Sequence, residues 1–172
     1  MKKKDVWISV AIIAAACLAF YFFSQQKGHI RIEGSGAELL LGSGLFSEAR
    51  IKSGQEPVAL RAREYRPKRL SIAMKENGNT WRIDSRGPWG NLSQIEVKND
   101  QTSVLKLGPP LLIKPKVHKS GSRASIDFSI IGQAGERYGN SIMKNNRRVS
   151  APKLKIVDET GTVLALGKFE YG

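Results

Sequence analysis

Beyond residue 28, apolar and polar residues alternate with a period of two along most of the chain, and no stretch repeats every three to four residues as an amphipathic helix would. "HIRIE" at 29–33 alternates, and "AELLLG" and "EARIKS" follow as short strands on either side of "SGLFS". In "PVALRAREY", Val58, Leu60 and Ala62 share one face and Ala59, Arg61 and Arg63 the other. In "KRLSIAMKENGNTWRIDS", Asn77-Gly78 stands between two alternating runs, which predicts a hairpin with a tight turn at positive φ. "SQIEVKNDQTSVLKLG" predicts a second hairpin around Asn99-Asp100, and "RGPWGN" at 86–91 predicts a loop. After the proline pair of "GPPLLIKPKVHKSG", Ala124, Ile126, Phe128 and Ile130 alternate on one face of "RASIDFSIIG". Residues 133–152 are poor in pattern and read as the longest irregular stretch. "KLKIVDETGTVLALGKFEYG" predicts a last hairpin around Asp158-Glu159-Thr160-Gly161. Its Leu154, Ile156 and Val163 or Leu164 are expected to face a core, with Phe169 and Tyr171 extending that face, so that it closes a sandwich.

The first 28 residues follow a different rule. Lys2, Lys3 and Lys4 precede a run from Val6 to Phe23 that carries no charge and only one polar residue, Ser9. Eighteen residues at ~1.5 Å each match the ~30 Å hydrocarbon core of a bilayer, and inside it the backbone must satisfy its own polar groups. Trp7 and Tyr21 stand near the two ends, where aromatic belts lie. The lysines predict a cytoplasmic N-terminus and an exported remainder. The run ends in "FYFFSQQ", without the small residues of a signal cleavage site, so an uncleaved anchor is preferred over a cleaved signal. Cleavage before Cys17, as in a lipoprotein, is the weakest alternative. The organisation expected is a basic tip at 1–5, a transmembrane helix at 6–23, a linker at 24–28, a β-sandwich module at 29–107 and a second at 108–172. The two modules can also be one domain. The fold class is all-β after one N-terminal helix.

"EYRPKRLSIAM", "WRIDS" and "IEVKNDQTSVLKLG" look like the core of carboxypeptidase-regulatory-like or PEGA-type modules. "FSIIGQAGERYG" followed by "APKLKIVDETGTVLALGKFEYG" is similar to the C-terminal part of exported bacterial proteins with an immunoglobulin-like fold. The resemblance implies a prealbumin-like or immunoglobulin-like sandwich and no reaction.

Composition narrows the function without fixing it. The net charge of +13 favours anionic partners. One cysteine rules out an intrachain disulfide. His29 and His118 are the two histidines; without a cysteine partner a zinc site would need both together with carboxylates, and no metal or cofactor is expected. No G-x-S-x-G occurs, and "GQAGERYG" lacks the Gly-Lys-Ser/Thr of a phosphate loop, so no catalytic set is expected. The candidate contact residues are Arg61, Arg63, Arg66, Lys68 and Arg69 on an exposed strand face, Glu136, Arg137 and Tyr138 on a glycine-flanked loop, and Trp89 as a carbohydrate platform. Trp81 is expected in the core beside the Asn77-Gly78 turn. The absence of a groove-reading helix or ribonucleoprotein motif argues against nucleic acid. The sequence therefore points to a membrane-anchored structural or protein-interaction module, with binding of an anionic envelope polymer or polysaccharide as the alternative.

Overall fold

The computed structural model describes residues 26–44, 47–121 and 123–170. The expected membrane helix at 6–23, the basic tip before it and Tyr171 lie outside them. Among the described residues there is no α-helix, only a single 3-10 turn at Gly90–Leu92, and no helix is long and apolar enough to cross a membrane.

Period-two patterning sets the first strands. β1 (Lys27–Glu33) turns Ile30 and Ile32 inward, β2 (Ala37–Ser43) does so with Leu39 and Leu41, and β3 (Ser47–Lys52) with Ile51. β4 (Val58–Arg61) pairs antiparallel with β1. β5 (Glu64–Glu76) is the longest strand; it pairs with β2 and, beyond the turn, with β6 (Asn79–Ser85). That turn is the expected one: Asn77 and Gly78 have φ of 48° and 74°, the signs a tight two-residue hairpin requires. The resulting sheet runs β3-β2-β5-β6.

The hairpin expected around Asn99-Asp100 does not form. β7 (Ile95–Glu96) pairs with the start of β5, whereas β8 (Thr102–Lys106) lies parallel to β1 in another sheet. Asp100 does turn the chain at positive φ, but Asn99 and Asp100 bond to β1: the Asp100 amide donates to Lys27 O at 2.8 Å, and Asn99 Oδ1 accepts from the Lys27 amide at 3.1 Å. The inward side chains of β1, β2, β3, β5 and β6, Tyr65 among them, meet in one buried cluster that also takes in Val97 and Leu107.

β9 (Leu112–Ser120) and β10 (Arg123–Ile131) form the next hairpin, with β11 (Arg137–Tyr138) on the other edge of β10. The stretch expected to be irregular carries β11, β12 (Met143–Lys144) and β13 (Arg147–Arg148). Asn145 and Asn146, both at positive φ, make the turn between the last two, and β12 pairs with β6. Strand pairing therefore crosses the boundary expected at 107/108. β14 (Lys153–Val157) and β15 (Val163–Lys168) form the last hairpin and, among the described strands, pair only with each other. The expectation that Val163 and Leu164 face a core is overturned, since Val163 is 45% and Leu164 64% exposed. The hairpin instead rests on Phe169, whose ring meets Phe128 edge-on at 4.7 Å, while its amide donates to Pro152 O.

Leu39 is fully buried in the centre of the cluster. Leu39→Ala is expected to cost about 2–5 kcal/mol through lost burial and the cavity left behind. Urea unfolding followed by tryptophan fluorescence checks this, with a lowered midpoint at unchanged slope as the expected result.

Candidate interaction surface

The loop Gly132–Tyr138 is a joint rather than a contact loop. Glu136 is fully buried and Tyr138 is 2% exposed, which corrects their expected place on the surface. Glu136 Oε1 accepts hydrogen bonds from the Gly108 amide at 2.7 Å and the Tyr138 hydroxyl at 2.8 Å, and Oε2 accepts from the Ala134 amide at 2.8 Å. A buried carboxylate is costly unless its lone pairs are filled, and here three donors fill them. Burial, followed by the hydrogen bond to Glu136 and its charge, raises the Tyr138 hydroxyl pKa, so it remains a donor at all ordinary pH. Gly132 makes room for the group: a Cβ there would stand 2.0 Å from Glu136 Oε1. Further backbone bonds tie the loop to the first half, from Asn91 N to Ala134 O at 2.8 Å and from Arg137 N to Pro88 O at 2.9 Å. Of the three expected loop contacts only Arg137 is exposed, and its guanidinium bonds Ser129 Oγ.

Trp89 is half-buried and packs against the core cluster. Trp81 is also half-buried, with Lys144 Nζ 5.2 Å from its ring. It lines an apolar hollow of about 240 Å³ with Ile72, Met74, Leu111 and Ile113, where the β9–β10 hairpin leaves the main sheet. His29 and His118 fall in separate sheets, and among the described residues no group of three or more ligands could hold a metal.

The five expected cations do not make one patch. Arg61 stands on β4, across the ladder from Lys27. Arg63 lies over the Tyr65 ring at 5.3 Å and donates to Ser47 Oγ at 2.7 Å. Arg66, Lys68 and Arg69 do share the outer side of β5. The register against β2 shifts between Leu40 and Leu41, and the extra residue, Lys68, leaves both Lys68 and Arg69 exposed. Each of them has its own carboxylate, however: Arg66 meets Glu64 at 3.5 Å, Lys68 meets Glu48 at 2.8 Å and Arg69 meets Asp84 at 3.1 Å.

The second half exposes its apolar residues instead. On β9, Leu112 is 59%, Ile113 64% and Val117 61% exposed; on β15, Leu164 is 64% and Leu166 77% exposed. An isolated two-stranded hairpin is marginally stable in water, which makes the open β14–β15 pair unusual. Its turn is closed by Asp158, whose Oδ1 accepts from the Thr160 hydroxyl and amide and from the Thr162 amide at 2.6–2.9 Å. Sequence reasoning found this hairpin and the inward side of β14, where Leu154 and Ile156 are half-buried, and misplaced Val163 and Leu164 of β15. The signal available was the uncharged five-residue run Val163–Gly167 beside the lysines of β14.

Comparison with known proteins returned no match: no family, no curated protein and no solved structure matches the chain.

Two predictions follow from this geometry. Glu136→Ala strands three buried donors and is expected to cost about 3 kcal/mol or more. Glu136→Gln keeps one carbonyl acceptor and should cost less, which paired denaturant titrations of the two variants will show. The Asp158 carboxyl is held below its ordinary value of 3.8, chiefly by the Thr160 hydroxyl and then by the Thr162 amide. Because the folded pKa is the lower one, the turn's contribution is complete above the unfolded value and is lost as pH falls through the folded one. A carboxyl NMR titration should give an Asp158 midpoint below 3.8, with Thr162 amide protection fading over the same pH range.

Proposed function

We propose that this chain is a non-catalytic structural module, held outside a membrane by residues 6–23, that assembles copy to copy by adding β15 to β15 of a second molecule. The observation that carries this reading is the open edge of β15, where Val163 to Gly167 bear no charge and Leu166 is 77% exposed. Natural sheets guard open edges with lysine and proline. β9 has that guard in Lys114, Pro115, Lys116 and Lys119, and β14 has Lys153 and Lys155. β15 lacks it over five residues.

A two-fold axis at Ala165 would set Leu164 of one copy opposite Leu166 of the other, an apolar cross-strand pair. Lys168 would then fall opposite Thr162, beside the Asp158-Glu159 turn of the second copy, so the charges at the ends of the pairing are complementary. Antiparallel addition also satisfies the unpaired N–H and C=O groups of the edge. An anchor at 6–23 would confine copies to one plane and raise their effective concentration. The shared cluster around Ile30, Leu39 and Leu70 supports a sandwich of prealbumin-like or immunoglobulin-like kind as the body of the module.

Sedimentation velocity on the full chain in detergent tests the reading. The wild type is expected to be a dimer and Leu166→Lys a monomer, while Ile113→Lys on β9 leaves the dimer intact. A monomeric wild type, or a Leu166→Lys protein that still dimerises, overturns it.

A further inference from the structure

Charge on this protein is gathered where the sequence did not announce it. The outer side of the sheet β3-β2-β5-β6 carries a groove of about 520 Å³. Arg50 and Lys52 on β3 form one wall, and Arg69 on β5 and Arg82 on β6 form the other. The floor between them is low, with Ala37, Ser71 and Ala73. Strand register builds the walls: Arg50 and Arg69 both lie opposite Leu40, Lys52 lies opposite Glu38, and Arg82 lies opposite Ala73.

Two carboxylates serve these four cations. Glu38 meets Arg50 at 3.3 Å and Lys52 at 3.6 Å, and Asp84 meets Arg69 at 3.1 Å and Arg82 at 3.6 Å. Ser71 Oγ also donates to Asp84 at 2.6 Å. Burial opposes ionisation of Asp84, but the hydrogen bonds from Ser71 and Arg69 and the charges of Arg69 and Arg82 outweigh it and hold the carboxyl below its ordinary range. Four cations against two acids leave the groove a formal surplus of two positive charges. Arg82 Nε is buried and, among the described residues, has no hydrogen-bond partner. Exposed ion pairs contribute little, so the guanidinium and ammonium donors not used by Glu38 and Asp84 can turn to an incoming anion at small cost.

We propose that this groove binds an extended polyanion of the acidic-polysaccharide class, with Arg50 and Lys52 taking one anionic group and Arg69 and Arg82 another. Two observations select that ligand. Arg69 stands two strands from Arg50 and Lys52, roughly 10 Å, and Arg82 one strand farther, a spread that suits charged groups along a polymer better than one small anion. Among the described residues no aromatic side chain lines the groove, so they offer no stacking surface for a nucleobase or for the face of a neutral sugar. Recognition rests on charge-assisted hydrogen bonds, for which arginine forks suit carboxylate and sulfate oxygens. The site lies on a different sheet from β15 and stands independently of copy-to-copy pairing.

The test is retention of the full chain, in detergent, on immobilised polygalacturonate, with immobilised dextran as the neutral polymer. Wild type is expected to bind polygalacturonate at low salt, to elute as salt rises from about 50 to about 500 mM, and to ignore dextran. Arg50→Gln with Lys52→Gln should weaken retention about tenfold. Lys114→Gln with Lys116→Gln removes the same charge from exposed β9 and should change retention less than about twofold. Equal loss in the two double variants would mean that net charge alone does the binding, and would overturn the groove. Absence of retention at low salt would do the same. Soluble oligogalacturonate should displace the protein at lower charge-matched concentration than polyphosphate; the reverse order would overturn the polysaccharide assignment. Unchanged thermal unfolding of both double variants excludes misfolding as the cause of lost retention.

Discussion

A buried carboxylate that makes no ion pair among the described residues pins the point where the second half of this protein begins. Glu136 is fully buried and, among the described residues, is met by three hydrogen-bond donors, two of them backbone amides. One amide belongs to Gly108, the first residue past the 107/108 boundary, the other to Ala134, and the third donor is the Tyr138 hydroxyl on β11. Such a group tolerates little displacement, because every lost donor leaves a buried charge less satisfied. Its fixed position therefore fixes where the β9–β10 hairpin departs and where β11 pairs. The apolar hollow lies between this hairpin and the main sheet, with Ile113 and Ile130 on one side and Ile72, Met74 and Trp81 on the other.

Local rules made part of this fold legible. Asn77-Gly78 and Asp158-Glu159-Thr160-Gly161 each predicted a hairpin that exists, because their chemistry is contained in the turn itself. Alternation found the strand faces wherever a strand has one wet and one dry side. Asn99-Asp100 misled because the same turn chemistry can redirect a chain between sheets, and the parallel pairing of β8 with β1 is a contact between residues some seventy positions apart. The shift of register at Lys68 was also invisible, since a bulge depends on the partner strand. Glu136 was misread for a related reason: a glutamate flanked by glycines reads as solvent-facing until its donors, one of them 28 residues away, are known.

The candidate contact residues show the same limit from the side of charge. Arginines close in sequence, from Arg61 to Arg69, were expected to act as one face, and pairing dispersed them among Glu64, Glu48 and Asp84. Cations far apart in sequence, Arg50, Lys52 and Arg82, converge on Arg69 because neighbouring strands stack their outward residues in rows. The individual strands "EARIK" and "TWRID" contain the signal, but its meaning depends on strand order.

Edge chemistry separates the two open surfaces of the second half. β9 exposes large apolar residues, yet its lysines and Pro115 oppose strand addition: the lysines repel a like-charged partner, and the proline removes a donor from the ladder. β15 exposes residues of the same kind without either obstacle, next to a turn whose acids answer its own Lys168. A protein with a net charge of +13 would otherwise repel its copies at every approach. An uncharged strand edge ending beside Asp158 and Glu159 weakens that repulsion locally, and this edge has no partner besides β14 among the described strands, which is why the proposed pairing between copies is placed there.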